Sequence, residues 1–249
     1  MLRLPLRLAL LLVLALQCAG LHAELFFEQP GSPARKYSNP ADTNAKVLPW
    51  GPAATADEVR VYLSGPITRA DVDSAGVMAT LLKSGKHKLA GNTVWFASVG
   101  GDMDAAMDLG RLLRELGVFA GVGKGDQCMS ACVFAFMGGE RRLVAGQLGI
   151  HRPYFPYTQD VPGRQLRFRH LARTLKGYVE ELDFPASLYE AVMLVPPESM
   201  HILTPAELKG FLLEGISPSS EDLADAAEAR RLNLSMFEYL KVKARKNGG

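Results

Sequence analysis

The chain is 249 residues long, 48% hydrophobic and 8% aromatic, with 28 Lys and Arg against 26 Asp and Glu. That length suits one domain, or one domain with a helical appendage, and the apolar share is enough to fill a sizeable core. A formal charge of +2 with no basic block excludes the electrostatic footprint of a nucleic-acid binder.

Arg3 and Arg7 precede the apolar run Leu8 to Leu16, and Gln17, Ala19, Gly20 and Ala23 follow it. This order of positive, apolar and small residues predicts a signal peptide over 1–23, cut after Ala23, and a periplasmic or secreted location. The run is too short to cross a bilayer, so no integral membrane segment is expected after cleavage. Losing Arg3 and Arg7 takes the charge from +2 to zero. Of three cysteines, only Cys128 and Cys132 then remain. In an oxidising compartment they form a disulfide or persist as two small buried thiols. Two thiolates without paired histidines do not complete a tetrahedral set, so no metal is expected, and no cofactor either.

Residues 24–56 are rich in Pro, Ala, Asn and Ser and predict an irregular N-terminal segment. Val59 to Leu63 alternates as a strand, and Pro66 predicts that the chain has left the centre of a sheet. Thr68 can cap a helix running through Asp71, Met78 and Leu82. After a polar loop from Ser84 to Gly91, Thr93 to Val99 is an apolar strand of the kind covered on both faces. It runs into Gly100-Gly101-Asp102. Met103 to Leu116 is an amphipathic helix ended by Gly117.

Val118 to Val122 is the next strand, and Gly121, Gly123 and Gly125 make a turn before Ser130. The apolar run Ala131 to Met137 predicts a helix closed by Gly138-Gly139. Glu140 to Ala145 and Leu148 to Ile150 are short strands, the second ending at His151. Pro153 to Gly163 is a loop, Gln165 to Leu182 a helix with a basic solvated flank, and Pro185 to Met193 another helix. Thr204-Pro205-Ala206-Glu207 is a capping-box start. The tail, Ser219 to Leu232 and Phe237 to Lys243, is a helical hairpin or a frayed end. Strands alternating with helices predict an α/β core with its crevice at the carboxyl ends of strands, where Gly100-Gly101 and Ser130 fall.

Ser130 can be an ordinary helix cap or a nucleophile, and His151 a structural histidine or its base. As a pair beside a glycine turn they are candidates for acyl transfer, with amides from Gly100-Gly101 and Ala131 holding the oxyanion.

These pieces, in order, resemble the Clp protease/crotonase superfamily, especially the secreted Clp-protease-like proteins. Val61 to Ile67 is similar to the family's opening strand and turn. Ser98-Val99-Gly100-Gly101-Asp102 resembles its oxyanion segment, with Val99 where the protease has proline. Cys128-Met129-Ser130-Ala131-Cys132 matches the nucleophile position, and Gly149-Ile150-His151-Arg152-Pro153 the base. Thr204 to Leu208 resembles the helix start that follows the third triad position.

The resemblance implies a ClpP/crotonase-like β-α-β superhelical core over 57–215, to which the chain's own helical pattern adds a C-terminal helical tail over 216–249. It also implies a serine peptidase or related hydrolase, a peptide or protein substrate, and a homo-oligomer. The place of the family's acid falls on Met200, which cannot orient a histidine. Glu198 is the candidate substitute, Asp183 the second, and a backbone carbonyl the third. A non-catalytic binding or scaffold protein on the same fold, and a crotonase-like thioester enzyme, are the other classes these residues allow.

Overall fold

The computed structural model describes residues 24–28, 58–85, 88–154 and 163–247. The signal peptide expected over 1–23 lies outside the described residues, as does most of the loop expected over 153–163. In chain order the first half comprises β1 (Glu24–Glu28), β2 (Glu58–Ile67), α1 (Arg69–Lys83), β3 (Lys88–Gly101), α2 (Met103–Leu116) and β4 (Phe119–Val122). Then come β5 (Gln127–Met129), α3 (Ala131–Met137), β6 (Arg141–Val144), β7 (Gln147–Ile150), α4 (Arg164–Glu181) and α5 (Ala186–Leu194). The chain continues through β8 (His201–Ile202), α6 (Pro205–Gly210), β9 (Gly215–Ile216), α7 (Pro218–Arg231) and α8 (Met236–Asn247). This is the α/β class that the alternation of strand and helix patterns predicts.

β3 is the strand on which the sheet is built. β2 lies parallel along one edge of it, while the other edge takes β4 at Thr93 to Trp95 and β5 at Ser98. β7 continues parallel from β5 and β6 parallel from β4, and antiparallel β8 and β9 close the two ends. Because β3, β5 and β7 are parallel, Gly100-Gly101, Ser130 and His151 all follow from the same end of the sheet, where open α/β sheets bind ligands.

Phe96 and Ser98 on one face of β3 are fully buried, whereas Trp95 and Ala97 on the other are only half-buried. The apolar run therefore overstates the cover on the second face. Helix boundaries follow local chemistry closely. Thr68 N and Oγ1 both donate to Asp71 Oδ2 at the start of α1. Asp102 Oδ1 accepts from Ala105 N at the start of α2, and Gly117, at φ 61°, ends that helix.

Three features depart from the expectations. Residues 24–28 of the supposedly irregular segment form β1, antiparallel to β2, because β2 presents an edge that a Glu-Leu-Phe-Phe-Glu stretch can pair with. Pro66 lies inside β2, but at a register shift and beyond the last β1 partner, Ser64, so its missing N–H breaks no β1 bond. The stretch before Ser130 contains a short strand, β5, where glycines alone predict a turn.

α3 is buried along its whole length and gripped at its far end. Arg114 donates to Met137 O at 3.2 Å and Gly138 O at 3.3 Å, and Arg142 donates to Gly139 O at 2.7 Å and Leu212 O at 3.0 Å. Tyr178 of α4 donates to Phe134 O at 2.7 Å. Arg142 is 1% exposed, and burial, with Arg114 nearby, pushes its guanidinium down to about 10. The tail is a hairpin: Lys243 on α8 donates to Asp225 and Glu221 on α7, and Arg114 reaches Ser217 at the start of α7. Among the described residues no helix is long and apolar enough to cross a membrane.

Candidate active site

The site is built from a turn, a glycine pair and a histidine, each delivered by the end of a parallel strand. Ser130 links β5 to α3 with φ 55° and ψ −124°, in the left-handed half of backbone space that a residue with a side chain rarely occupies. A capping serine has extended backbone and spends its oxygen on the helix amides. Ser130 does neither: its side chain makes no capping bond. Ser130 is half-buried and sits at a sharp strand-to-helix turn, the kind of turn that presents a nucleophile.

Several contacts enforce that conformation. Ser130 N donates to Gly149 O at 2.8 Å, tying the turn to β7 two residues before His151. Val133 N donates to Ser130 O at 3.1 Å. Cys128 and Cys132 form a disulfide across the turn, with their Cα atoms 5.2 Å apart and both residues fully buried. Of the two possibilities left open for these cysteines, the structure has the bond. Gly100 approaches from the other side: a methyl there would stand 2.7 Å from Met129 O and 3.0 Å from Ala131 N. Ala131 is the first residue of α3, so its N–H has no acceptor within the helix.

His151 follows β7 and is 8% exposed. Its Nδ1 lies 3.0 Å from Arg152 O. A carbonyl oxygen only accepts, so Nδ1 of the neutral ring carries the proton and Nε2 keeps its lone pair, the arrangement a general base needs. The Tyr154 ring stands 5.7 Å from the imidazole. Among the described residues Ser130 and His151 are not hydrogen-bonded to each other. Their backbones are nonetheless adjacent, because Met129 pairs with Gly149 across β5 and β7.

Met200 is the residue on which the resemblance would put the family's acid. β8 is antiparallel to β7 with Ile150 opposite His201, and continuing that register one residue sets Met200 opposite His151. Met200 packs over Gly149 and is 40% exposed. Glu198 is exposed and, among the described residues, makes no bond to His151, whose Nδ1 is taken by Arg152 O. Asp183 is exposed beyond the end of α4, where it acts through space on Arg114 at the opposite end of α3 from Ser130. Of the three substitutes the sequence allows, the backbone carbonyl is the one in contact. Glu207 is an organised carboxylate of the same part of the chain, held down to about 2 by the Thr204 amide, then by His201 at 2.8 Å and the Thr204 hydroxyl. It serves β8 and α6 rather than His151.

Sequence reasoning assigned no role to Ser98, which is fully buried beside the glycine pair and bonded to Gly65 O and Gly100 N. Its signal was a lone serine in an otherwise apolar strand two residues before Gly100. Among the described residues no group of three or more His, Cys, Asp and Glu side chains is placed to hold a metal ion.

No family model matches the chain, and no curated protein matches it. Among solved structures it is similar to a mutant of the 1510-N membrane-bound stomatin-specific protease, at 16% identity and a TM-score of 0.47, over 61% of this chain and 75% of that one. It is similar also to a mutant of ClpP1 from Listeria monocytogenes, at 14% identity and a TM-score of 0.47, over 61% of this chain and 86% of that one.

Proposed function

We propose that this chain is a serine hydrolase of the peptidase type that works by acyl transfer, with Ser130 as nucleophile and His151 as its base. The observation that carries the reading is the backbone of Ser130, at φ 55° with its hydroxyl unused by the helix it precedes. A non-glycine residue held there costs about 1–3 kcal/mol and persists only where its surroundings enforce it, a pattern concentrated at functional sites.

In the reaction, His151 Nε2 takes the Ser130 proton as Oγ attacks the carbonyl carbon of a peptide. The oxygen that becomes negative is received by backbone N–H groups of the glycine pair and Ala131, which need no reorganisation to meet it. His151 then delivers its proton to the leaving nitrogen, and water, deprotonated by the same ring, releases the acyl group. The Arg152 carbonyl orients the ring but carries no full negative charge, so it stabilises the imidazolium less than a carboxylate would. A slow hydrolase is the consequence. The Ser130–His151 contact tightens when substrate excludes water from the crevice.

Export after loss of residues 1–23 into the periplasm or medium, a peptide or protein substrate, and assembly of a homo-oligomer belong to the same proposal. Intact-mass spectrometry of the native protein and light scattering test the first and last of these. The central test is labelling by a fluorophosphonate. Wild type should be labelled at Ser130, and Ser130→Ala should not. A folded wild type that takes no label would leave a non-catalytic binding protein on a ClpP-like fold, the reading that Met200 opposite His151 favours.

A further inference from the structure

We propose that Ser98 is a positioning residue, whose buried hydroxyl spans a register shift in the β2–β3 ladder and so aims the Gly101 amide at the oxyanion. The inference rests on the hydrolase reading above and identifies which amide of the glycine pair does the work.

Ile67 is paired with Gly101, and Ile67 O accepts from Asp102 N at 2.9 Å. In a parallel ladder, a residue that bonds to both neighbours of its partner leaves the partner's own N–H and C=O pointing to the opposite edge. Gly101 N–H is thus turned away from β2, toward the edge of β3 where β5 ends and Ser130 begins. Gly100 N–H is turned the other way, toward β2, where Gly100 pairs with Pro66 just beyond the register shift between Ser64 and Pro66. Ser98 spans that shift. Gly100 N donates to Ser98 Oγ at 3.1 Å, and Ser98 Oγ donates in turn to Gly65 O at 2.5 Å. A hydroxyl has one proton and can accept, so one side chain ties the Gly100 amide to the Gly65 carbonyl at the irregular point of the ladder.

The bridge matters because the pair has no side chains of its own to resist rotation. Gly100 and Gly101 lie at φ 101° and 143°, and neither has a β-carbon to restrict the peptide planes. With Ser98 fully buried, water cannot replace its hydroxyl without opening the sheet. Removing that oxygen would take from Gly100 N–H and Gly65 O a buried partner that both share, and the peptide plane would be freer to turn. The Gly101 donor would then leave its direction.

The test compares wild type, Ser98→Ala and Ser98→Thr by hydrolysis of p-nitrophenyl acetate and by amide hydrogen exchange. The expected result for Ser98→Ala is a kcat at least tenfold lower with KM changed less than twofold, and faster exchange at Gly100. Ser98→Thr, which keeps the oxygen, should recover kcat to within about threefold; should the added methyl prevent folding, exchange in Ser98→Ala decides alone. A Ser98→Ala enzyme with wild-type kcat, or with unchanged exchange at Gly100, overturns the inference. A wild type that neither hydrolyses the ester nor takes a fluorophosphonate overturns the hydrolase reading and the oxyanion role with it, a result distinct from an active Ser98→Ala.

Discussion

Gly100 and Ser130 are packed so closely that a β-carbon on Gly100 would stand 2.8 Å from Ser130 Cβ. The end of one strand and the turn after another are thereby held as a single surface, with the Gly100 backbone against that of Met129 to Ala131. Gly100 also lies at φ 101°, a conformation that L side chains rarely adopt. Gly100→Ala should therefore displace the turn or the glycine pair. We expect fluorophosphonate labelling to fall at least a hundredfold, with a thermal midpoint lowered by several degrees. Wild-type labelling in a folded Gly100→Ala protein would show that this contact does not set the site.

Cys128 and Cys132 close a loop of five residues around Ser130. Loop-closure entropy for so short a ring contributes only about 2 kcal/mol to stability, so the main effect of cleaving it is local. In Cys128→Ala/Cys132→Ala, amide exchange at Met129 to Ala131 should rise while the rest of the sheet is unchanged, and labelling should slow. Equal exchange in the two proteins would leave the disulfide with no part in shaping the turn. Non-reducing peptide mapping of the native protein checks that the bond is present.

His151 takes its orientation from a backbone carbonyl, which no substitution of a nearby acid can remove. His151→Ala should lose labelling almost completely, because the hydroxyl loses its base. Glu198→Gln and Asp183→Asn should each stay within about twofold of wild type, since an exposed charge outside the reacting groups is worth little. A tenfold loss in Glu198→Gln alone would identify Glu198 as a third member reached only when substrate is bound.

Among the described residues Arg142 is the largest fully buried side chain, and it satisfies two carbonyls, Gly139 O and Leu212 O. Arg142→Ala leaves Gly139 O and Leu212 O without this donor and opens a cavity under Phe184, whose ring the guanidinium covers at 4.8 Å. Urea unfolding should register a loss of about 2–5 kcal/mol. A loss below about 1 kcal/mol would mean that water readily replaces the guanidinium.

Glu207 supplies a pH dependence. Its folded carboxyl sits at about 2, below its ordinary value of 4.5, chiefly because the Thr204 amide donates to it. The stabilisation is complete above the unfolded value and disappears as pH falls from 4.5 through about 2. Thermal midpoints of wild type and Glu207→Gln should differ near pH 6, and the difference should shrink steadily as pH falls from 4.5 toward about 2. A gap that stays constant over that range would remove the linkage.

Local chemistry made much of this protein legible before its structure. Met103 to Leu116 carries its own period, its Asp102 cap and its Gly117 stop, so that helix needed nothing from the rest of the chain. The order Gly100-Gly101, Ser130, His151 could be read as a possible site because each member lies at the end of an apolar strand or the start of an apolar helix.

What the sequence could not decide were relations between segments distant in the chain. β1 exists only because β2 offers an edge, and β5 only because β3 and β7 flank it; three residues have too little periodicity to declare themselves a strand. The hydroxyl of Ser98 meets Gly65 O and Gly100 N only because a register shift between β2 and β3 falls beside it. Whether Ser130 caps a helix or stands free above it depended on one φ angle, and Gly149, the disulfide and Gly100 jointly set that angle. Sequence patterns determined the elements and the residue types at their ends. The tertiary structure decided which ends meet, because hydrogen bonds and close packing across strands depend on register, and register is a property of the assembled sheet.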